Sequence, residues 1–316
     1  MNFFTEINIE KPLFNIGHKD NITLIGSCFT QNIGLLLKRG GFNVEINPFG
    51  IIYNPITIAQ EINFLTNNRN FYEEDLVFSD NKWKIYACHG EIYAKEKQEA
   101  LKIINTKIAN SNKFIHKTKY LILTLGTSNV YSLISNNKIV GNCHKIPAKN
   151  FEKRLLSTNE IVDILGKEVE NFLSKTKNNS TKIIITISPI RHIKDGYREN
   201  QISKSILHIA SEKIRQLFPD DVFYFPAYEI MMDELRDYRF YEEDMLHPNK
   251  IAIKLIWEKF QKTFFDEKTT TLCVEFEKLN KMIEHRPFDS ESPSYKEHLK
   301  KIEVLKERLT NKINNL

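Results

Sequence analysis

The chain has 316 residues, of which 41% are hydrophobic and 27% charged, and its formal net charge is +5. These values are typical of a globular protein, and they exclude a collagen-like, low-complexity or strongly charged disordered chain. Charges of both signs are mixed without a long basic run, so we expect no nucleic-acid partner.

The amino-terminal residues include an acidic side chain at Glu6 and no continuous apolar core, so no signal peptide is predicted. No apolar run approaches the length of a membrane span. The cysteines lie far apart and form no CxxC pair, which favours reduced thiols and a cytoplasmic location. We therefore expect a cytoplasmic protein with no membrane partner, no metal and no cofactor.

Short apolar runs, each followed by a loop-forming residue, predict strands buried on both faces of a parallel sheet. These runs are residues 22–25, 120–125, 183–187 and 222–225. Apolar residues at helical spacing lie between and after the strands, at residues 31–38, 159–173 and 200–217. The alternation of strands and helices predicts a doubly wound α/β domain.

Two segments interrupt this alternation. Residues 71–94 are predicted as irregular structure with a short strand at WKIYA, and residues 131–140 as a hairpin around Asn136 and Asn137. We expect both to decorate the core near the carboxyl ends of the strands, where α/β proteins bind ligands.

The chain changes character after Pro248. Helices are predicted at residues 251–265 and 271–284, followed by a break at 285–294 and a last helix with a narrow apolar stripe. We expect an α/β domain over residues 1–268 and a helical extension over 269–316. The stripe fits two alternatives, packing on the chain's own domain or pairing with a partner helix in a homo-oligomer.

Ser27 and Cys28, two potential nucleophiles, stand where the first predicted strand ends and a helix begins. Such a turn exposes a side chain at the sheet edge, the helix amino terminus stabilises negative charge there, and backbone N–H groups can bind an oxyanion. The alternative is that Ser27 or Thr30 only caps the helix.

Asp244 and His247 stand three residues apart, directly before Pro248. A carboxylate beside an imidazole fixes its tautomer and leaves the other ring nitrogen as a base. Two alternatives are an acidic loop before a helix that starts at the proline, and a metal pair, for which two ligands are too few.

A serine after the first strand and a late Asp-x-x-His-Pro together resemble the SGNH hydrolases, α/β enzymes of the GDSL esterase superfamily. Gly-Ser-Cys-Phe-Thr further resembles the opening motif of the GSCFA family, which is grouped with them. Other stretches resemble that family as well: LTLGTSNVY (123–131), GNCHKIPA (141–148), SPIRHIKDG (188–196), ENQISKS (199–205) and FPAYEIMMDELRDYRFYEEDMLHPN (225–249). The resemblance implies a flavodoxin-like, three-layer sandwich around a mostly parallel sheet.

The resemblance also implies roles for individual residues. Ser27 matches the nucleophile position, His247 the base and Asp244 the acid that orients it, while Gly50 matches a glycine whose N–H lines the oxyanion hole. The superfamily has Gly-Asp-Ser where this chain has Gly-Ser-Cys, so Cys28 is an alternative nucleophile.

A second superfamily motif, the one that supplies a side-chain oxyanion donor, also differs in this chain. The usual Gly-x-Asn-Asp reads Gly-Thr-Ser-Asn here, so either Ser128 or Asn129 could donate to the oxyanion. Arg191 and His192 follow another strand end, where they would contact substrate or form a loop held by salt bridges. His144 is interpreted as structural, and so is Lys204.

The expected activity is that of a serine esterase, or of an acyltransferase that uses the same site. Its partner would be a small acyl ester, such as an acylated saccharide. The alternative is a non-catalytic module that binds a glycan or another ligand on the same fold.

Overall fold

The computed structural model describes residues 5–176, 180–289 and 292–316. The strands are β1 (Asn21–Gly26), β2 (Asn43–Ile46), β3 (Leu76–Ser79), β4 (Lys82–Ile85), β5 (Tyr93–Ala94), β6 (Thr118–Leu125), β7 (Asn129–Leu133), β8 (Ile139–Val140), β9 (Phe151–Leu155), β10 (Lys182–Ile187) and β11 (Val222–Phe225). The helices are α1 (Cys28–Arg39), α2 (Pro55–Asn67), α3 (Lys97–Ile115), α4 (Thr158–Ile161), α5 (Lys167–Lys175), α6 (Tyr197–Leu217), α7 (Ala227–Glu229), α8 (Lys250–Phe264), α9 (Glu267–Glu284) and α10 (Pro293–Asn314).

Within these residues, five parallel strands form the central sheet in the order β11–β10–β6–β1–β2. The four predicted strands are confirmed as β1, β6, β10 and β11. The sequence analysis missed β2, a short edge strand with no fully buried side chain. Parallel pairing brings the carboxyl ends of all five strands to one edge, which is where the candidate site lies.

Side chains that alternate along the central strands fill two apolar cores, one on each face of the sheet. On β6, Leu121 and Leu123 face the core under α2, α3, α5 and α6, whereas Tyr120 and Ile122 face the core under α1 and α8. Helices therefore cover both faces, and the predicted three-layer α/β sandwich is confirmed.

Two small antiparallel sheets form the decorations. One has the order β3–β4–β5 and the other β8–β7–β9, with the predicted hairpin around Asn136 and Asn137 between β7 and β8. The two sheets are joined where the backbone N–H groups of Gly141 and Asn142 donate to the carbonyl oxygen of Tyr86, at 2.8 and 3.1 Å. Because β7 follows β6 closely, the second sheet stands at the carboxyl edge, as predicted.

The last two helices pack on the α/β domain through α9. Asn280 of α9 donates to the carbonyl oxygen of Arg39 at 2.7 Å, and the ring of Phe276 stacks on His18. Helix α10 in turn packs on α9 through Leu272, Leu279, Ile302 and Leu309. The predicted break at 285–294 includes residues 290 and 291, which lie outside the described residues. The boundary at residue 268 and a homo-oligomer through α10 stay predictions.

None of the helices in the described part of the chain is long and apolar enough to cross a membrane.

Candidate active site

The turn after β1 requires a glycine at position 26. Gly26 has a φ of +145°, and a Cβ there would lie 2.3 Å from the carbonyl oxygen of Thr124 in β6. Its N–H donates to the side-chain oxygen of Asn47 at 2.9 Å. The strand can therefore turn into α1 while it stays against its neighbour.

Ser27 is fully buried at this turn. Its Oγ accepts the N–H of Phe29 at 3.3 Å, so Ser27 is the N-cap of α1. These are the contacts expected of a helix cap. The assignment of Ser27 as nucleophile stays a prediction.

Cys28 is the first residue of α1 and is half-buried. Burial raises the pKa of its thiol, while the backbone N–H groups of Cys28 and Phe29, and then the charge of Lys204, act in the opposite direction. An open helix amino terminus thus faces the thiol, and a buried cation contributes to its electrostatics.

Lys204 lies on the buried face of α6, 2% exposed. Its Nζ donates to the carbonyl oxygens of Gly126 and Ser188, both at 2.7 Å, just beyond the ends of β6 and β10. Burial lowers the pKa of this ammonium to about 7, and the Cys28 thiol raises it. The sequence analysis treated Lys204 as structural. One signal of its burial was its place one turn before Leu207 on the apolar stripe of α6.

The structure brings Asp244 and His247 together. Nδ1 of His247 donates to Oδ2 of Asp244 at 2.5 Å, because a carboxylate can only accept. Oδ1 of Asp244 accepts the N–H groups of Leu246 and His247 at 2.8 and 2.9 Å. These backbone bonds, followed by the imidazole, lower the pKa of Asp244 to about 2. Nε2 of His247 makes no hydrogen bond within the described residues, so it can act as a base.

Arg191 connects the end of β10 to the loop that carries the base. Its guanidinium donates to the carbonyl oxygen of Met245, which has a φ of +58°, and stacks over the ring of Tyr241 at 4.5 Å. The predicted substrate contact by Arg191 stays a prediction. The bond that the structure shows supports the backbone next to His247.

His192 lies between the turn that carries Ser27 and Cys28 and the loop that carries Asp244 and His247, since the charges of Lys204 and His247 both act on it. Its ring meets Tyr53 edge-on, with 5.5 Å between the ring centroids. Burial, together with the charges of Lys204 and His247, lowers the pKa of His192 to about 4. Its Nε2 is buried and has no hydrogen-bond partner among the described residues. Tyr53 was missed by the sequence analysis, although it lies in the NPFGIIYNP stretch that contains Gly50.

The three predicted oxyanion donors are already engaged in hydrogen bonds. The N–H of Gly50 donates to the carbonyl oxygen of Asn47 at 2.7 Å. Ser128 is fully buried, and its N–H and Oγ both bond Ser203. The amide of Asn129 reaches Oγ1 of Thr127 at 3.4 Å. Their role as oxyanion donors stays a prediction, for which these bonds give no support.

The turn that carries Ser27 and Cys28 and the loop that carries Asp244 and His247 share no direct hydrogen bond among the described residues. Among residues 5–176, 180–289 and 292–316, no hydrogen bond joins His247 to Ser27 or Cys28. Within these residues the two are linked only by charge: Lys204 acts on both Cys28 and His192, and His247 acts on His192. In the same residues, no group of three or more His, Cys, Asp or Glu side chains could hold a metal ion.

Comparisons with known proteins identify the family to which the chain belongs. A family model described as the GSCFA family matches residues 21–260, and one described as the GSCFA domain protein, C-terminal domain, matches residues 276–316. A search of curated proteins found no match.

Two solved structures from Bacteroides are similar in fold. One is a GDSL-like lipase from Bacteroides thetaiotaomicron VPI-5482, with 9% identity, a TM-score of 0.36, and coverage of 77% of this chain and 86% of that one. The other is described as a candidate acylhydrolase, from Bacteroides fragilis NCTC 9343, with 8% identity, a TM-score of 0.38, and coverage of 84% and 91%. The family model extends over more than half of the sequence, and the chain therefore belongs to the GSCFA family.

Proposed function

We propose that this chain transfers the acyl group of a small ester, such as an acylated saccharide, to water or to an acceptor hydroxyl. The observation that carries the proposal is the Asp244–His247 pair, joined at 2.5 Å beside the edge of the sheet where Cys28 opens α1. An imidazole held by a carboxylate, with its second nitrogen exposed, is the arrangement of a general base in acyl transfer.

Cys28 is the nucleophile that the geometry favours. Ser27 is fully buried and its oxygen caps α1, whereas Cys28 is half-buried at the first position of that helix. A thiolate is intrinsically more nucleophilic than a hydroxyl, and although burial raises the pKa of the Cys28 thiol, the helix amino terminus and the Lys204 ammonium act against that rise. Ser27 remains the alternative that the experiment below separates from Cys28.

The reaction proceeds in two steps. In the first, Nε2 of His247 takes the proton of the Cys28 thiol, the thiolate attacks the ester carbonyl, and the imidazolium gives that proton to the leaving alkoxide as the thioester forms. In the second, water or an acceptor hydroxyl gives its proton to His247 and attacks the thioester, which releases the acid or new ester, and the proton returns from His247 to the Cys28 thiolate. We assign the backbone N–H of Cys28, in the open first turn of α1, to the oxyanion.

The test is capture of the acyl-enzyme by intact-mass spectrometry after exposure to p-nitrophenyl acetate, with peptide mapping. We expect an acetyl group on Cys28 in the wild-type chain and in Ser27→Ala, and none in Cys28→Ala. Cys143→Ala is the matched control, because Cys143 is also half-buried and burial also raises the pKa of its thiol. An adduct on Ser27 would make the chain a serine enzyme, and an adduct on Cys143 alone would overturn the proposal.

A binding module without turnover is the second candidate. It is favoured by one observation, the internal hydrogen bonds that occupy the donors of Gly50 and Ser128. An enzyme of this type needs at least one donor aimed at the developing oxyanion. Saturable binding of an acetylated saccharide, with no acyl-enzyme and no hydrolysis in the folded wild-type chain, would establish this second function.

A further inference from the structure

A pocket of about 300 Å³ lies between the β3–β4 hairpin and the segment that follows β8. Three lysines line it, Lys82, Lys84 and Lys145, together with Asp80, Asn142 and His144. We call it the basic pocket. None of the residues assigned to acyl transfer lines it. Asn142, His144 and Lys145 come from the GNCHKIPA stretch, which has no role in the proposed reaction.

The lysines give the basic pocket an excess of positive charge. Among the described residues, Asp80 is the only acid that lines it, and its carboxylate lies 3.7 Å from the ammonium of Lys84 and 3.3 Å from that of Lys145. Lys82 instead stacks over the ring of Tyr93 at 3.6 Å. Lys84 is 7% exposed, so part of this charge is held away from bulk water, where it acts more strongly on an anion.

A buried ring nitrogen at the wall of the basic pocket lacks a partner. His144 is 3% exposed, and its Nε2 donates to the carbonyl oxygen of Ile85 at 2.8 Å. Because a carbonyl only accepts, Nε2 carries the hydrogen and neutral Nδ1 keeps a lone pair. Nδ1 has no hydrogen-bond partner within the described residues. A buried polar atom without a partner costs stability, so it points to a group that enters the pocket.

Gly90 keeps the space in front of that nitrogen open. A Cβ at position 90 would lie 3.9 Å from Nδ1 of His144, at ordinary contact distance, and apart from the neighbouring residues 89 and 91 no other described atom lies within 4 Å of it. Any side chain there would occupy the place from which a ligand atom reaches Nδ1. The neighbouring His89 packs against the Gly50 turn, and its N–H donates to the carbonyl oxygen of Phe49 at 2.8 Å, which fixes this wall.

We propose that the basic pocket binds the phosphate group of a small phosphorylated ligand. Lysine ammonium groups supply donors and charge for the anionic oxygens. The lone pair of Nδ1 in His144 accepts the hydroxyl that a phosphate retains when it is singly protonated. Sulfate and carboxylate have no such hydroxyl near neutral pH, so the pocket distinguishes phosphate from them. The inference is independent of the acyl transfer proposed above.

The test is calorimetric titration of the full chain with inorganic phosphate, sulfate and glycerol 3-phosphate at about pH 6, near the second pKa of a phosphate ester. We expect phosphate and glycerol 3-phosphate to bind saturably and to compete, and sulfate to bind more weakly. Lys145→Met should weaken phosphate binding about tenfold, because one charge-assisted hydrogen bond is lost. Gly90→Ala should weaken it at least as much without a change of charge.

Lys149→Met is the matched control, since it removes an exposed lysine of the same loop that does not line the basic pocket. It should leave the affinity unchanged. The proposal is wrong if phosphate does not bind saturably, if Lys149→Met weakens binding as much as Lys145→Met, or if Gly90→Ala has no effect. Binding of inorganic phosphate without glycerol 3-phosphate would also overturn it, because the site would then serve a free ion.

Discussion

The turn at residues 26–28 is held by the sheet beneath it, whereas the loop at residues 242–247 is held mainly by its own backbone. Ser27 is fully buried, but the side chains of Asp244 and His247 are each 46% exposed. The turn bonds Thr124 and Asn47, which belong to distant parts of the chain. Changes in the nucleophile half should therefore alter stability, and changes in the base half should alter chemistry alone.

The base loop closes on itself through a few bonds. The N–H of Glu242 donates to the carbonyl oxygen of His247 at 2.8 Å, and the N–H of Met245 donates to that of Glu242 at 2.9 Å. Arg191 fastens this loop to the end of β10. The hydrogen bonds that hold this loop are thus mostly local. If this contrast holds, substitutions at the turn and substitutions in the loop should differ in their effects on stability and on activity.

The largest effect is expected for His247→Ala in the exposed half. Loss of a general base should reduce kcat/KM for p-nitrophenyl acetate about a hundredfold to ten-thousandfold. Stability to urea should change by no more than about 0.5 kcal/mol, because the side chain is half-exposed. His285→Ala, at another exposed histidine, is the control and should keep full activity. An equal loss in both variants would remove His247 from the mechanism.

The next effect is expected for Gly26→Ala in the buried half. The added Cβ would lie 2.3 Å from the carbonyl oxygen of Thr124, at a φ that disfavours alanine. The strand must shift, so we expect a loss of about 3 kcal/mol or more in the free energy of unfolding. Gly166→Ala is the matched control. Its Cβ would meet only ordinary contacts near 3.8 Å in a helical turn, and stability should stay equal or rise. A tolerated Gly26→Ala would contradict the contrast.

The central strands could be predicted from the sequence because burial on both faces leaves short, continuous apolar runs. Residues 183–187, for example, are four isoleucines around Thr186, and they form β10. The Asp244–His247 pair was also accessible, since its partners are three residues apart and need no tertiary contact to meet. Continuous apolar runs and short spacings between residues can be recognised in a single sequence without knowledge of tertiary contacts.

What the sequence could not supply depends on tertiary contacts. The edge strand β2 reads NVEI, and its pairing with β1 is needed to define it. Lysine is usually exposed, so the place of Lys204 on the apolar stripe of α6 was too weak a signal, and its burial is explained by the two carbonyl oxygens that receive its ammonium. The contrast between Ser27 and Cys28 is likewise geometric, because the start of α1 decides that Ser27 caps the helix while Cys28 is only partly buried.

A pH-dependent change in stability is expected from Glu61, which is bonded to the backbone next to Gly50. Glu61 is fully buried, and one carboxyl oxygen accepts the N–H of Phe49 at 2.8 Å. Burial raises its pKa from 4.5 to about 8. Between these values the folded chain keeps a proton that the unfolded chain has lost, so stability should fall as pH rises through this window.

The slope is at most about 1.4 kcal/mol per pH unit, and Glu61→Gln, which cannot ionise, should remove it. Urea denaturation of both chains between about pH 5 and about pH 8 measures the difference. Glu307→Gln, at an exposed position of α10, should keep the wild-type slope. Parallel curves for the wild type and Glu61→Gln would mean that the carboxyl group is not buried in its neutral form.

The smallest effect is expected for Arg191→Met, at the residue that fastens the base loop to the end of β10. This change removes the donor to the Met245 carbonyl and the stacking on Tyr241, and it leaves Asp244 and His247 intact. If Arg191 only positions the base loop, kcat should fall about tenfold with little change in KM, because a misplaced base slows the chemical step without weakening substrate binding. Arg198→Met, which removes an exposed arginine of α6, controls for the loss of charge and should leave both constants unchanged. A rise in KM with unchanged kcat would instead show that Arg191 binds the substrate itself, and the base loop would then be held by its own backbone alone.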